Sequence, residues 1–182
     1  WREKVLPLLD GIPQNVVDIC QYGVTEMLNN VVAHSESEDA ILSVELTAST
    51  IRIHILDHGI GIFEKIRRAF NLDDSRHSLL ELSKGKLTTD PEHHTGEGIF
   101  FSSLMFDKFS LLAGSLFFHK KRERDGWLIE LDEGEALGGT GVSMAISRFA
   151  KQTTQEVFDQ FAGESQNYVF SKTHLPIKLA RY

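Results

Sequence analysis

Glu26, Asn30 and His34 follow one another at intervals of four residues. On a helix that interval stacks a carboxylate, a carboxamide and an imidazole along one face. The amide oxygen of Asn30 is a hard ligand suited to Mg²⁺, and Glu26 is positioned to accept a proton from an attacking water or hydroxyl. Asn29, three residues from Glu26, competes with Asn30 for the ligand role. Taken alone, the same line is more simply a solvated helix face, because it avoids the apolar positions Val17, Val24, Met27 and Val31. A second group is Asp57, Gly59, Gly61 and Ile62. Alternation along Ile51, Ile53 and Ile55 carries Asp57 to the core side, where a carboxylate is costly unless hydrogen-bond donors meet it. The exocyclic amine of a purine is one such donor, and the glycines leave room for a flat ring against the backbone. An Asp-initiated turn with glycines at positive φ is the competing explanation. The third group, His94 to Ile99 with Thr95, Gly96 and Gly98, opens an apolar helix whose free N–H groups and dipole suit a phosphate. Glu97 has the wrong sign for that role and must point away, and ordinary helix entry is the competing explanation of the glycines.

These groups need elements to hold them. From Pro13 to about Ala33, Val17, Cys20, Val24, Met27 and Val31 recur at steps of three and four, which predicts an amphipathic helix beginning at Pro13. Leu42, Val44 and Leu46, then Ile51, Ile53 and Ile55, alternate with polar residues and predict a β-hairpin. Between Phe63 and Thr95 the pattern breaks into mixed charge with Gly85 and Pro91, leaving short helices near Ile66 to Phe70 and Leu79 to Leu82. So long a segment is usually a functional lid or mobile. Gly98 to Phe109 reads as a helix buried on several sides, and strands are expected over Phe109 to Phe118, Gly126 to Asp132 and Thr140 to Arg148. The charged stretch His119 to Asp125 reads as a solvated hairpin tip. The tail from Ala150 holds one helix, Gln155 to Phe161, and an apolar run from Leu175 to Leu179. Helices on a mostly antiparallel sheet make an α+β layered sandwich, which by itself says nothing about chemistry.

Composition narrows the partners. The chain has 182 residues with 41% hydrophobic and 25% charged, enough apolar material for a folded domain of ordinary size. A formal charge of −7 opposes binding to a nucleic-acid backbone or an anionic membrane, apart from any local basic patch. The single cysteine, Cys20, lies on the apolar helix stripe and cannot form an internal disulfide. With no apolar run long enough for a bilayer, the expected home is the cytoplasm. The opening at Trp1 without methionine suggests a fragment of a longer protein. The histidines lack the spacing of a zinc site, and Phe100, Phe101, Phe106 and Phe109 read as core.

In order and spacing the three groups resemble the asparagine box and the two glycine boxes of the GHKL ATPase superfamily, which contains gyrase, MutL, sensor histidine kinases and anti-sigma-factor serine kinases. The resemblance spans about residues 13 to 148 and implies a Bergerat-type two-layer sandwich, a mixed and mostly antiparallel sheet covered by helices on one face. It implies a nucleotide domain over 1–149, with residues 63–95 as the ATP lid; the resemblance leaves unexplained the C-terminal extension over 150–182, which either docks on the sheet or starts a further domain. Glu26 matches the general base and Asn30 the magnesium-binding asparagine. Asp57 matches the aspartate that receives the adenine amine, with Gly59, Gly61 and Ile62 beside the ring. Thr95, Gly96, Gly98 and Ile99 match the phosphate side. Thr140, between Gly139 and Gly141, looks like the threonine whose hydroxyl helps hold Asp57 and adenine. His94 replaces the first glycine of many such boxes. Ala33 stands where histidine kinases often carry lysine, while His34 falls where the anti-sigma-like branch often has histidine.

The resemblance therefore implies an ATP- and Mg²⁺-binding domain, a hydrolase or protein kinase in bacterial regulation, closest to an anti-sigma serine kinase. Its expected partners are ATP, a regulatory protein of the anti-sigma or response-regulator type, and a second copy of the chain in a homodimer. Nucleic acid and membrane are not among them. Mg²⁺, the helix start at Gly98, and Lys84, Lys86 or Arg76 are the candidates to meet the phosphate charge. The catalytic domain of a sensor histidine kinase, and a non-catalytic module gated by ATP, are the alternatives.

Overall fold

The computed structural model describes residues 1–83, 97–160 and 177–181. A 3₁₀ turn at Leu6–Leu9 leads to α1, Gln14–Asn30. Pro13 caps α1, as its missing N–H and preset φ favour, and its carbonyl accepts from the amides of Val16 and Val17. The last turn of α1 widens into a π-turn, Val31–Ser35, which stops where Glu36 takes a left-handed φ of 60°. The predicted hairpin forms as β1, Ala40–Leu46, and β2, Thr50–Asp57.

Two helices follow, α2 at Ile62–Ala69 and α3 at Ser75–Ser83. Phe63, Ile66 and Leu79 are buried in the core, and the Ser78 hydroxyl donates to the Phe63 carbonyl. Within the expected lid, 63–95, the part up to Ser83 is thus anchored, and 84–96 lie outside the described residues. Helix α4 spans Gly98–Met105, shorter than the predicted 98–109, because Phe106 turns extended to lead into the next strand.

The run Phe109 to Phe118, expected as one strand, is two: β3 at Lys108–Gly114 and β4 at Leu116–Lys121, hinged at Gly114 with φ of 58°. The charged stretch is likewise split. His119, Lys120 and Lys121 belong to β4, and only the residues after them turn into β5, Gly126–Glu130. Lys120 is 4% exposed, against the expectation of a solvated tip. Position 120 pairs with Phe109 on the core-facing row, and its ammonium donates to the carbonyls of Lys121 and Arg124. Strand β6, Leu137–Ser147, is longer than predicted. Helix α5, Thr154–Asp159, starts with a reciprocal cap between Thr153 and Glu156. Strand β7, Ile177–Arg181, joins the same sheet.

The strand order is β1-β2-β6-β3-β4-β5-β7, antiparallel throughout except for the parallel β5–β7 pair. The protein is therefore an α+β two-layer sandwich. Ile51, Ile53 and Ile55 of β2, Met144 and Ile146 of β6, and Phe109 and Leu111 of β3 face Val16, Ile19, Cys20, Val24 and Met27 of α1 and the rings of α4. Each such side chain contributes about 1.5–3 kcal/mol by leaving water. No described helix is long and apolar enough to cross a membrane.

Candidate functional site

Asp57 is the last residue of β2 and pairs across to Thr140 of β6. Alternation does carry it inward, and it is only 2% exposed. Its Oδ1 accepts from the Gly59 amide at 2.9 Å and from the Thr140 amide at 3.3 Å. Those two donors offset part of the cost of burying a carboxylate. Oδ2 accepts no hydrogen bond among the described residues.

Asp57 lines a narrow cleft whose cavity volume is about 30 Å³, room for a water molecule and too tight for a ring unless the walls part. Ile55, Leu111 and Val142 of the sheet form its apolar floor, and Met27 and Val31 of α1 with Ile62 and Ile99 form its walls. The polar groups are few: Asn30, His34, Ser35, Asp57 and Thr140. Asn30 lines the cleft whereas Asn29 is exposed, so the helical pitch decides between the two amides. Hydrocarbon faces with a buried carboxylate among them have the chemistry for a flat heterocycle bearing an amine, which would enter only if the walls moved apart.

The glycines next to Asp57 answer to the backbone. A Cβ on Gly59 would lie 1.8 Å from the Ser35 carbonyl, which also accepts from the Ile60 amide at 2.9 Å. Gly59 is thus the point where the π-turn after α1 closes on the β2–α2 connection. Gly61 has φ of 79° just before α2. Neither lines the cleft, in contrast to the expected place beside a ring. Thr140 also departs from expectation. Its amide, not its hydroxyl, holds Asp57, while Oγ1 accepts from the Ile62 amide at 3.0 Å and satisfies the first turn of α2.

Glu26 is absent from the cleft lining and stands against the start of α4: a Cβ on Gly98 would be 2.2 Å from its Oε2. Only glycine leaves room for that carboxylate, and the positive end of the α4 dipole favours it. Tyr22, one turn earlier, has its hydroxyl pKa driven well up, first by burial and then by the charges of Glu26 and Glu97. Thr95, Gly96, His94, Lys84 and Lys86 lie outside the described residues. Arg76 is engaged by Asp74, at 2.7 Å from Nε, and by Glu130 at 3.6 Å.

Two cations near the cleft, Lys65 and Arg68, are absent from the residues expected to meet a ligand. His34 also lines a shallow groove with Lys65 and Arg68, which pair with Glu36 at 2.6 Å and Glu64 at 2.7 Å. The run of basic residues Lys65, Arg67 and Arg68 was the available signal. Ser35, whose carbonyl positions Gly59, gave none beyond its place after His34. Among the described residues no cluster of three or more His, Cys, Asp or Glu is arranged to hold a metal. The chain matches no protein-family model and no curated protein.

Proposed function

We propose that the cleft binds ATP with Mg²⁺ and that the domain is a GHKL-type ATPase or protein kinase acting on a regulatory protein. The observation that carries this reading is Asp57: a carboxylate 2% exposed, tethered through Oδ1 alone, lining a mostly apolar cleft together with Asn30. Oδ2 would accept from the exocyclic amine of adenine, while Ile55, Val142, Ile62 and Ile99 cover the ring and exclude water. On this reading residues 63–95 correspond to the ATP lid.

The donor set fits magnesium in one respect. A cation that keeps most of its waters and takes its other ligands from phosphates needs one or two protein oxygens, and the Asn30 amide is available in the cleft wall. When bound, the ion would neutralise phosphate charge. Lys65 and Arg68 line the neighbouring groove with His34 and would meet the phosphates only by exchanging their present partners Glu36 and Glu64. Glu26, one helical turn before Asn30, would hold and accept the proton of the attacking hydroxyl. It must then leave its contact with Gly98 or be approached there.

Calorimetric titration with Mg·ATP and a phosphate-release assay test this together. Wild-type protein should bind ATP and release phosphate or transfer it to a partner. Glu26→Ala should keep the affinity within about threefold and lose turnover by about 10²–10⁴-fold, the usual contribution of a general base. Absence of ATP binding by the wild type overturns the reading, and full turnover in Glu26→Ala removes Glu26 from it.

A further inference from the structure

The face of the sheet opposite the helices is graded along its strands. Nearest the cleft, register aligns Ile41, Leu56, Leu112, Phe117 and Ile129 into an apolar row, with Gly141 between Leu56 and Leu112. Four residues further along, about 14 Å at 3.4 Å per residue, the aligned residues are Glu45, Arg52, Ala145, Lys108 and Lys121. Between them stand the small Ser143 and Ser110, then His119 opposite Trp127.

Arg52 is taken up by Glu45 at 3.2 Å. Lys108 and Lys121 are exposed, directly opposite each other, and in no ion pair among the described residues. Like charges in that relation destabilise a sheet. The His119 imidazole registers the same field, its pKa held down first by burial and then by Lys121 and Lys108. In a chain of formal charge −7 this is a local excess of positive charge. Ile41 at 54% and Trp127 at 42% are among the most exposed large apolar side chains of the described residues.

Inner strands have already committed their backbone groups to their neighbours, so this face offers side chains alone. An occupant must satisfy its own N–H and C=O groups, which a helix does. We propose that the open face docks an amphipathic helix of a protein partner, its apolar stripe on Leu112, Phe117, Ile129 and Trp127 and its acidic end bridging Lys108 and Lys121. Spanning 14 Å takes about nine or ten helical residues at 1.5 Å each. Carboxylates there relieve the lysine–lysine repulsion. A single-stranded nucleic acid fits less well, because it needs cations along its whole track; away from Lys108 and Lys121 this face offers Arg52, taken up by Glu45, and Lys178, which lies 5.4 Å over the Trp127 ring and pairs with Asp125 at 3.0 Å. The inference stands apart from the nucleotide reading and shares no residue with the cleft's polar groups.

The test uses the full chain carrying Trp1→Phe, which leaves Trp127 as the only indole. The probes are two synthetic helical peptides of about 14 residues with a Leu/Ala stripe, one ending in clustered Glu and one in clustered Lys. The Glu peptide should shift Trp127 emission to the blue and bind about tenfold tighter than the Lys peptide, with affinity falling as salt rises. Lys108→Glu with Lys121→Glu should reverse that preference, and the alanine pair should abolish it; far-UV circular dichroism checks the fold. Equal binding of the two peptides, no binding of either, or an unchanged preference in the folded variants overturns the proposal. So does tighter binding of oligouridylate than of the Glu peptide, or a dimer in sedimentation that excludes the peptide. Mg·ATP affinity, measured alongside, separates failure here from failure of the nucleotide site.

Discussion

Asp57→Asn changes the site by essentially one atom. In the wild type Oδ1 accepts from the amides of Gly59 at 2.9 Å and Thr140 at 3.3 Å. Those donors keep the asparagine oxygen in the same place, so its NH₂ group must take the position of Oδ2. That group then meets the adenine amine donor to donor. Losing a hydrogen bond to a charged acceptor costs about 1.5–3 kcal/mol, or about 10–150-fold in Kd. Calorimetry with Mg·ATP reads this directly. Inosine triphosphate, which carries a carbonyl in place of the amine, supplies the matching control: the variant's NH₂ can donate to it, so the preference for ATP over inosine triphosphate should shrink. ATP affinity within about twofold of wild type, or an unchanged preference between the two nucleotides, would refute the assignment of Asp57. The melting temperature of the variant should be reported beside these values, since both retained hydrogen bonds predict a folded protein.

Gly59→Ala should lower stability by about 1–3 kcal/mol or more, because its Cβ would fall 1.8 Å from the Ser35 carbonyl and neither backbone can yield cheaply; thermal melting should show this, with Gly134→Ala, whose Cβ meets nothing within 4 Å, close to wild type. Cys20, its thiol pushed up to about 12 by burial, should resist iodoacetamide at pH 8 in the native protein and react rapidly in urea. Glu64 lies between Arg67 and Arg68, each bonded at 2.7 Å, which hold its pKa at about 2 against an ordinary 4.5. A folded pKa below the unfolded one means stability that is present above about pH 4.5 and lost as pH falls toward 2. Melting temperatures from pH 6 to 2.5 should therefore fall less steeply in Glu64→Gln; an identical slope would show that the pair contributes nothing.

Much of the site could be read from local pattern. Period-two alternation through Ile51, Ile53 and Ile55 was enough to turn Asp57 inward, and a four-residue step placed Asn30 on the cleft side of α1. What escaped depends on approaches between distant segments. Nothing local to Gly59 reports that the Ser35 carbonyl will sit against it, and α2 begins at Ile62 because a threonine 78 positions later caps that amide. The β3–β4 hairpin was missed because apolar residues continue on both sides of Gly114 and hide the turn. Once that turn is in place, its register carries Lys120 to the core row opposite Phe109, where composition alone would put it in water. Strand β7 pairs in parallel with β5, a long-range choice with no local signal.

The most direct measurement is a crystal structure of the protein with Mg²⁺ and a non-hydrolysable ATP analogue. Purine density should lie between Val142 and Ile62, its amine about 3 Å from the Asp57 carboxylate, with the phosphates leading toward Asn30. A purine bound elsewhere, or a cleft closed by Ile55, Leu111 and Ile99 at saturating nucleotide, would contradict the account.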